Sequence, residues 1–554
     1  MFKQIWLPGL MVLAVQGAWA QTLPSAGGQL QQVPNVPAAP GLLSPLQVQP
    51  EVAAPKAPAS AQVFRVQGLN LTGTSVYSPD VLRAVSGFEA NRDQSLSSLQ
   101  AMADRITEHY RRQGWLLARA YVPAQEVRDG VVTIAVLEGR YGAVTLNNQS
   151  RLNSPVATGV LVGLNEGDVI ATAPLEERLL LLSDLPGVQV RSTLVPGATL
   201  GVSDLVVDVL PGERVTGSVD ADNAGSRYTG INRIGATLNL NNPAGLGDVL
   251  SFRGLTSGSG LRYGRASYQA PVGRGRLGVA YSALDYELGR EFKDLGANGT
   301  ARTASIFGGY PLLRSRHSNM NAGLTLENKD FVDRLDALPL TTRKRAQVAV
   351  ATLSGDRRDT WGGGGLNSFS AAWSTGRLDI RTPEARTDDA STARTDGHFN
   401  KLALALSRVQ RVSETVTVSA ALNGQLAANN LDVSEKMSLG GMGGVRAYPQ
   451  GEAYADEGYL LTLEARKLLS GLTQVRGQVQ LVAFVDAGEV RLNHRAWDGA
   501  DQQRHLSGAG VGVYWTHARD FSLKAVYARA LGNEVALSAP DRSGRWWLQG
   551  VKYF

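Results

Sequence analysis

Two short segments in the last third of the chain combine charged groups with an apolar or glycine-rich setting. Residues 440–451 (Gly-Gly-Met-Gly-Gly-Val-Arg-Ala-Tyr-Pro-Gln-Gly) place five glycines around Arg446, which allows close approach to other backbone. Residues 482–490 form an apolar, strand-like run that Asp486 interrupts. A carboxylate away from bulk water is costly unless it is paired, and arginine is its natural bidentate partner. Spacing alone leaves two interpretations open: an Arg446–Asp486 pair, or a surface arginine and a solvated aspartate.

Sequence motifs for enzymatic chemistry are missing. There is no Gly-x-Ser-x-Gly, no His-Glu-x-x-His and no Gly-Lys dipeptide to complete a phosphate loop. The six histidines are scattered, and the lack of cysteine excludes disulfides, thiol nucleophiles and Cys-ligated metals. The glycine run 362–365 is more typical of a turn than of a phosphate cradle. We therefore expect no catalytic residues, no cofactor and no metal site.

Length and charge limit the possible classes further. With 554 residues the chain is too long for one compact core, and only 19% of its residues are charged. The net charge of +6 is small for this length. A nucleic-acid partner is therefore not expected.

The first sixty residues predict export followed by a linker. Lys3, an apolar run over residues 5–15 and the Ala-Trp-Ala at 18–20 are typical of a signal peptide spanning residues 1–20. Residues 21–61 hold eight prolines and only two charges. Because no proline-free gap there exceeds nine residues, we expect an extended Pro-rich linker rather than a stable helix.

Two similar units follow the linker. In residues 62–138 an amphipathic helix is predicted from Ser95 to Gln113, and an apolar strand ends the unit. In residues 139–212 a leucine-rich helix precedes an apolar strand that ends at Gly212. This repeat predicts two tandem α+β modules.

Residues 213–554 read as a long series of alternating segments. The stretches 319–327 and 415–420 alternate polar and apolar residues, which places side chains on opposite faces of a strand. A soluble β-sandwich or propeller is an alternative, although no repeat near forty residues is visible, as a propeller would show. A secreted chain of this pattern fits an outer-membrane β-barrel with a polar lumen.

The length of this region also predicts the size of the barrel. Strands of about 9–11 residues, with their turns and loops, use roughly 20 residues each, so about 16 to 18 strands are expected. A barrel of that size encloses a lumen. The aromatic C-terminal strand ending at Phe554 is common in such barrels, although Lys552 is an unexpected member of its alternating series.

Three motifs resemble those of the two-partner secretion transporters, which export filamentous haemagglutinins and haemolysins and belong to the superfamily of barrel-assembly proteins. Residues 222–225 (Asp-Asn-Ala-Gly) with Gly230 resemble the family's first barrel strand. Residues 445–448 (Val-Arg-Ala-Tyr) resemble the tip of its sixth extracellular loop, which folds into the lumen. Residues 484–488 (Phe-Val-Asp-Ala-Gly) resemble the wall motif that receives this tip. The resemblance implies two tandem POTRA (polypeptide-transport-associated) domains followed by a 16-stranded antiparallel transmembrane β-barrel.

The resemblance also implies a loop latch and exposes two departures from the family pattern. Ala447 stands where the family often has glycine. Some family members begin with a helix that plugs the pore, and the prolines of residues 21–61 disfavour a helix of that length here. A short helix or an extended strand in the lumen remains open. The implied latch is a salt bridge between Arg446 and Asp486, supported by Val445, Tyr448, Phe484 and Gly488.

The function implied by the resemblance is protein export across the outer membrane of a Gram-negative bacterium. POTRA domains in the periplasm would capture an unfolded TpsA-type β-helical exoprotein, such as a haemagglutinin, a haemolysin or a contact-dependent toxin, and the barrel would export it. Outer-membrane lipid and, during biogenesis, the barrel-assembly machinery are the other expected partners. Two alternatives are a barrel-assembly factor, whose relatives usually carry more modules, and a diffusion porin, which needs none.

Overall fold

The computed structural model describes residues 23–34, 47–48, 63–471 and 475–554. The predicted signal peptide, residues 1–20, lies outside these residues, as does most of the predicted linker. Of the linker, the structure describes helix α1 (Ala26–Gln31) and the two-residue strand β1 (Gln47–Val48).

The first folded unit, here called module 1, packs two helices on a small sheet. Strand β3 (Gly68–Thr72) pairs in parallel with β6 (Val131–Leu137), and β5 (Arg119–Tyr121) pairs antiparallel to the other edge of β6. Helix α3 begins with a capping box at Ser95 and buries Leu99, Ile106 and Tyr110 against the sheet. Its elements are β2 (Val63–Val66), β3 (Gly68–Thr72), α2 (Pro79–Ser86), β4 (Arg92–Ser95), α3 (Leu96–Arg112), β5 (Arg119–Tyr121) and β6 (Val131–Leu137).

The second unit, module 2, repeats this arrangement. Its strand β9 (Val202–Pro211) pairs in parallel with β7 (Arg140–Asn148) and antiparallel with β8 (Val188–Pro196), as β6 does with β3 and β5. The linker strand β1 adds in parallel to the free edge of β8, giving the order β1-β8-β9-β7. Its elements are β7 (Arg140–Asn148), α4 (Ser154–Leu161), α5 (Thr172–Ser183), β8 (Val188–Pro196) and β9 (Val202–Pro211).

Sixteen antiparallel strands then close into a barrel, which confirms the predicted fold class. Neighbours in sequence are neighbours in the barrel, except that β20 is followed by β23. The strands are β10 (Val215–Asp222), β11 (Arg233–Asn241), β12 (Val249–Thr256), β13 (Leu261–Val272), β14 (Gly275–Glu287), β15 (Ala297–Arg314), β16 (Ser318–Leu335), β17 (Leu340–Asp359), β18 (Gly365–Ile380), β19 (Gly397–Arg411), β20 (Val416–Ala427), β23 (Glu457–Leu468), β24 (Gln478–Arg491), β25 (Gln503–His517), β26 (Phe521–Ala530) and β27 (Gly544–Tyr553).

The remaining short elements lie in the connections. Helix α6 (Pro383–Ser391) sits between β18 and β19, and the loop that follows β20 contains β21 (Met437–Ser438) and β22 (Tyr454–Ala455). Short 3-10 helices cover Arg290–Leu295, Trp361–Gly363 and Val433–Glu435. Among the residues that the structure describes, no helix is both long and apolar enough to cross a membrane.

The barrel wall alternates as its sequence predicts. On β14 the apolar side chains Leu277, Val279 and Tyr281 are exposed on the outside, whereas Ser282 and Leu284 are buried inside. The wall closes where β10 meets β27, over the five residue pairs from Ser218–Tyr553 to Asp222–Gln549.

The position of Lys552 explains why a charged residue occurs in the otherwise apolar, outward-facing series of the last strand. Its ammonium group contacts Asp520 in the turn between β25 and β26, and Arg476 lies 3.2 Å from the same carboxylate. This turn lies at the end of the barrel that carries the modules. Lys552 therefore belongs to the rim of the barrel rather than to its apolar band.

Module 2 is docked on the barrel through helix α5 and the residue that follows it. Glu177 pairs with Arg274, Glu176 lies 3.1 Å from Arg316, and Asp184 lies 2.7 Å from Arg314. Arg274 lies in the turn after β13, Arg314 is the last residue of β15, and Arg316 lies in the turn that follows. Module 2 therefore covers one side of this end of the barrel.

The interior of the barrel contains helix α1, so the expectation that residues 21–61 form no stable helix is wrong for residues 26–31. This helix lies inside the one proline-free gap of nine residues, between Pro24 and Pro34. Residues 26–29 are buried. Tertiary packing supplies most of the stability of a helix this short, which is why local proline spacing misjudged it.

Candidate functional site

The loop between β20 and β23, residues 428–456, turns back into the barrel. Its tip is a tight turn in which Val445 N–H donates to Leu439 O over 2.8 Å and Gly444 N–H donates to Gly441 O over 3.0 Å. A Cβ atom at Gly444 would collide with the Leu439 carbonyl, and Gly441 has φ of 112°. The glycine run that stood out in the sequence therefore permits this turn.

The tip presents Arg446 to Asp486 on β24. Arg446 Nε lies 2.8 Å from Asp486 Oδ2, Nη2 lies 2.8 Å from Oδ1, and the Arg446 backbone N–H donates to Oδ2 over 3.1 Å. Asp486 is 0% exposed and Arg446 is 7% exposed. The two residues thus form a bidentate, buried pair of the strong charge-assisted type.

A second carboxylate completes the site, and it was missed from the sequence. Glu464 on β23 accepts from Arg446 Nη1 over 3.0 Å, from Arg466 Nε over 2.6 Å and from the Tyr514 hydroxyl over 3.2 Å. Two guanidinium groups therefore face two carboxylates in the lumen. The sequence did contain a signal for Glu464, because it lies two residues after Thr462 and therefore on the same, inward-facing side of an alternating strand. The Thr462 hydroxyl itself donates to Asp486.

Two aromatic side chains contact the loop arginine, one at its guanidinium group and the other at its backbone carbonyl. The Phe484 ring lies 3.3 Å from the guanidinium carbon, a cation–π contact that excludes water. Trp547 on β27 donates its indole N–H to the Arg446 carbonyl over 2.7 Å. The tip of the loop thereby contacts both the strand that carries Asp486 and the last strand of the barrel.

The other predicted residues make room for the tip or anchor it. Val445 and Tyr448 are buried, and the Tyr448 hydroxyl donates to Glu534 O over 2.9 Å. A Cβ at Gly488 would lie 2.5 Å from Leu439, so this glycine creates the space into which the loop packs. Ala447, the departure from the family pattern, packs its methyl group directly on Gly508.

The base of the same loop is held by lysines of the opposite wall, which sequence analysis also missed. Asp432 lies 2.7 Å from Lys344 on β17. Glu435 lies 2.9 Å from both Lys329 on β16 and Lys401 on β19. Here the loop supplies the anions and the wall supplies the cations.

Helix α1 contacts both the loop and the wall. The Tyr454 hydroxyl accepts from Gln32 Nε2 over 2.7 Å and donates to Gly28 O over 3.1 Å. At the start of the helix, Ala26 N–H donates to Asp333 Oδ1 on β16 over 2.7 Å. Part of the predicted linker therefore lies in the lumen beside the inward loop.

Outside the barrel, Glu138 organises the junction between the modules. It accepts hydrogen bonds from Ser75 N–H over 2.6 Å, from Val76 N–H over 2.8 Å and from the Tyr110 hydroxyl over 2.9 Å. Burial raises the pKa of this carboxyl, but the hydrogen bonds from Ser75, Val76 and Tyr110 outweigh it and leave the pKa below its ordinary value.

Comparison with known families matches two regions of the chain. The family described as haemolysin secretion/activation protein ShlB/FhaC/HecB matches residues 201–515. The ShlB-type POTRA domain matches residues 64–139, which is module 1.

Similar proteins and solved structures extend these matches over most of the chain. The heme/hemopexin transporter protein HuxB of Haemophilus influenzae is 27% identical over 497 residues, covering 88% of this chain and 86% of its own. The outer membrane transporter CdiB of Dickeya dadantii is 26% identical and covers 82% of this chain and 79% of its own. The structure of CdiB from Escherichia coli is 23% identical, with a TM-score of 0.72 over 91% of this chain and 93% of that one.

Proposed function

The chain belongs to the haemolysin secretion/activation family ShlB/FhaC/HecB, and on that premise we propose that Arg446 latches the inward loop across the export path. The protein is an outer-membrane transporter of two-partner secretion, which exports an unfolded secreted partner from the periplasm through its barrel. Its POTRA domains lie in the periplasm. The end of the barrel remote from them therefore faces the cell exterior.

We assign residues 62–138 and 139–212 to the two POTRA domains and residues 213–554 to the barrel. The strand bounds support this division, because β6 ends at Leu137, β9 ends at Pro211 and β10 begins at Val215.

The exported partner is proposed to be a TpsA-type β-helical exoprotein. One relative is named for heme and hemopexin and another, from Serratia marcescens, for a hemolysin, so the cargo differs among relatives. Outer-membrane lipid and, during biogenesis, the barrel-assembly machinery are the other partners we propose.

We propose that the cargo first pairs with an edge strand of the periplasmic modules. An extended chain gains main-chain hydrogen bonds at such an edge with little demand on its sequence. In module 1, β5 pairs only with β6 among the described residues, and no described strand occupies its other edge, where the Ala120 N–H donates to Thr107 Oγ1 on α3 over 2.9 Å. In module 2 the linker strand β1 already occupies the edge of β8, so we propose that the cargo pairs with module 1.

The latch then governs passage through the lumen. With Arg446 bound to Asp486 and Glu464, the loop stays on the wall, and α1 lies beside it. Displacing both widens the passage for an extended chain. No nucleotide is needed for direction, because each domain-sized unit of cargo that folds outside gains about 5–15 kcal/mol.

The buried, bidentate contact of Arg446 with Asp486 carries this proposal, and a reversible crosslink tests it. The chain has no cysteine, so Ala447→Cys with Gly508→Cys introduces a single disulfide between the loop tip and the wall. A Cβ at Gly508 lies 2.5 Å from the Cβ of Ala447, so the tip must shift slightly outward to reach the disulfide distance of about 3.8 Å. We expect oxidised cells to stop releasing cargo into the medium and a reductant to restore release. A matched pair, Ser251→Cys with Ser267→Cys, joins neighbouring wall strands and should leave export unchanged.

Two outcomes would contradict parts of the proposal. Normal export with the tip disulfide fully formed would show that the loop does not have to move. A general loss of other outer-membrane proteins in cells lacking this protein would favour the barrel-assembly alternative instead.

A further inference from the structure

The outer face of strands β15 to β19 changes character along its length. Its lower part, towards the periplasm, is an apolar band, and the side chains there are exposed although they are large and apolar. The band is formed by Ile306, Leu324, Leu326, Leu353, Phe369, Trp373, Leu404 and Leu406. Beyond it, towards the cell exterior, the same outward-facing positions carry charge.

Charges of alternating sign lie side by side across four strands at this level. Arg302 on β15 is opposite Asp330 on β16, Asp330 is opposite Arg345 on β17, and Arg345 is opposite Asp379 on β18. Arg345 Nε lies 2.6 Å from Asp330 Oδ1. Asp379 is already bound by Arg381 and Arg386 of the adjoining loop, at 3.2 Å and 2.8 Å.

Cations exceed anions on this surface, which we call the arginine belt. Four of its arginines are exposed, and among the described residues none of the four has a carboxylate within ion-pair distance. His398 lies opposite one of them, Arg377. The four are Arg302, Arg334, Arg343 and Arg377.

Strands β23 to β26, on another side of the barrel, lack such an excess. At the outer ends of β23 and β24, Arg491 lies 3.9 Å from Glu457, and Glu489 on the same face adds a second carboxylate. Arg529 on β26 is the neighbouring exposed arginine. Charges on these strands are balanced, so the excess of cations does not extend around the whole rim.

The position of the belt identifies the chemistry that it fits. Charged side chains on the lipid face are unfavourable within the hydrocarbon layer and tolerated near its boundary, and the belt begins directly above the apolar band. At that boundary the outer leaflet presents phosphate groups. A guanidinium group binds phosphate through two parallel hydrogen bonds, and the apolar band below accommodates acyl chains.

We propose that the arginine belt docks a phosphorylated lipid of the outer leaflet, with its phosphates between Arg302, Arg343 and Arg377 and its acyl chains on the apolar band. This surface is separate from the loop latch and goes beyond the export function. It holds one face of the barrel in ordered lipid, opposite the short β10–β27 closure.

Lipid titration of the purified full-length protein in detergent tests this proposal. Bis-phosphorylated lipid A and its dephosphorylated form serve as probes, and bound lipid is counted by native mass spectrometry. We expect the phosphorylated form to bind more tightly and Arg343→Gln with Arg377→Gln to weaken it about tenfold or more. The control, Arg491→Gln with Arg529→Gln, removes as many outward charges and should change affinity less than about twofold.

Three results would overturn the proposal. Equal binding of the phosphorylated and dephosphorylated lipids would show that phosphate is not recognised. Equal weakening of lipid binding by both double variants would show that the belt is not the binding site. Unchanged lipid binding with reduced export in the belt variant alone would assign this surface to the exported partner. A heat-dependent shift in electrophoretic mobility verifies that each variant forms a closed barrel.

Discussion

The inward loop is attached at its tip and at its base, and the two attachments use opposite charge arrangements. At the tip the loop contributes one cation, Arg446, and the wall contributes the carboxylates of Asp486 and Glu464. At the base the loop contributes Asp432 and Glu435, and the wall contributes lysines.

The difference shows where the loop can be released. The planar guanidinium group at the tip makes three side-chain hydrogen bonds in a fixed geometry, and all of them depend on one residue. The ammonium groups at the base act as separate point charges on three different strands, so losing one leaves the others. We infer that the tip is the switchable attachment and the base a permanent one.

The largest effect is expected from removing the tip cation. Arg446→Ala leaves the buried Asp486 without a charged partner, whereas Glu464 keeps its contact with Arg466. Breaking a buried ion pair in this way costs about 3–5 kcal/mol. We expect export to fall to background while the barrel still inserts, measured as cargo in the medium against surface levels of the transporter. Arg529→Ala removes an exposed arginine outside the lumen, so this variant should export cargo normally. Loss of export in both variants would contradict a specific role for the attachment at the tip.

A smaller effect is expected from filling the space into which the loop packs. Gly488→Val places side-chain atoms against Leu439 and the Tyr459 carbonyl, and overpacking of this kind costs about 1–3 kcal/mol. We expect partial loss of export and faster proteolysis of the loop. Gly264→Val is the matched control, because no atom lies within 4 Å of a Cβ at that position. Equal proteolysis of the two variants would contradict the packing role of Gly488.

Removing one cation at the base should affect export less than removing the tip cation. Lys344→Met leaves Asp432 with its hydrogen bond from Ser434 N–H, and Lys329 and Lys401 still bind Glu435. We expect export to fall severalfold at most and the tip to resist protease as in the natural protein. If Lys344→Met abolished export as completely as Arg446→Ala, the distinction between a switchable and a permanent attachment would be wrong.

Weakening the contact between α1 and the loop should modestly raise the frequency with which the closed pore opens. Tyr454→Phe removes two hydrogen bonds, each contributing about 0.5–1.5 kcal/mol. In planar bilayers we expect more frequent openings than for Tyr459→Phe, whose hydroxyl lies on the outer face. Identical opening frequencies would show that Tyr454 does not couple α1 to the loop.

The smallest effect on the loop is expected from a titration outside the barrel. Because the folded-state pKa of Glu138 lies below its ordinary value of 4.5, its ionised form stabilises module 1 at neutral pH. This contribution is lost as the pH falls below that ordinary value and through the lowered pKa. We expect Glu138→Gln to lower the melting temperature of the modules at pH 7 and to flatten its dependence on acid pH. An unchanged pH profile would exclude this role, and the opening frequency of the barrel should not change.

Local pattern predicted much of this molecule, and specific failures show its limits. Alternation along single strands predicted the barrel, and the helix from Ser95 was predicted within one residue at each end. The pairing of Arg446 with Asp486 came from the family resemblance rather than from spacing. Glu464 and the lysines at the base were missed, because an inward position on a strand does not reveal which residue faces it across the lumen. Proline spacing likewise misjudged α1, whose stability comes from burial inside the barrel.

The sequence by itself determined the fold class, since periods of two and of about 3.6 residues are local properties that each segment carries alone. It also determined where the backbone can turn tightly, because glycine is required where a Cβ would collide. Only the tertiary structure decided which charges meet. Strand stagger and barrel closure bring together residues such as Lys344 and Asp432, or Arg314 and Asp184, that are distant in sequence, and electrostatic pairing depends on that final distance rather than on order along the chain.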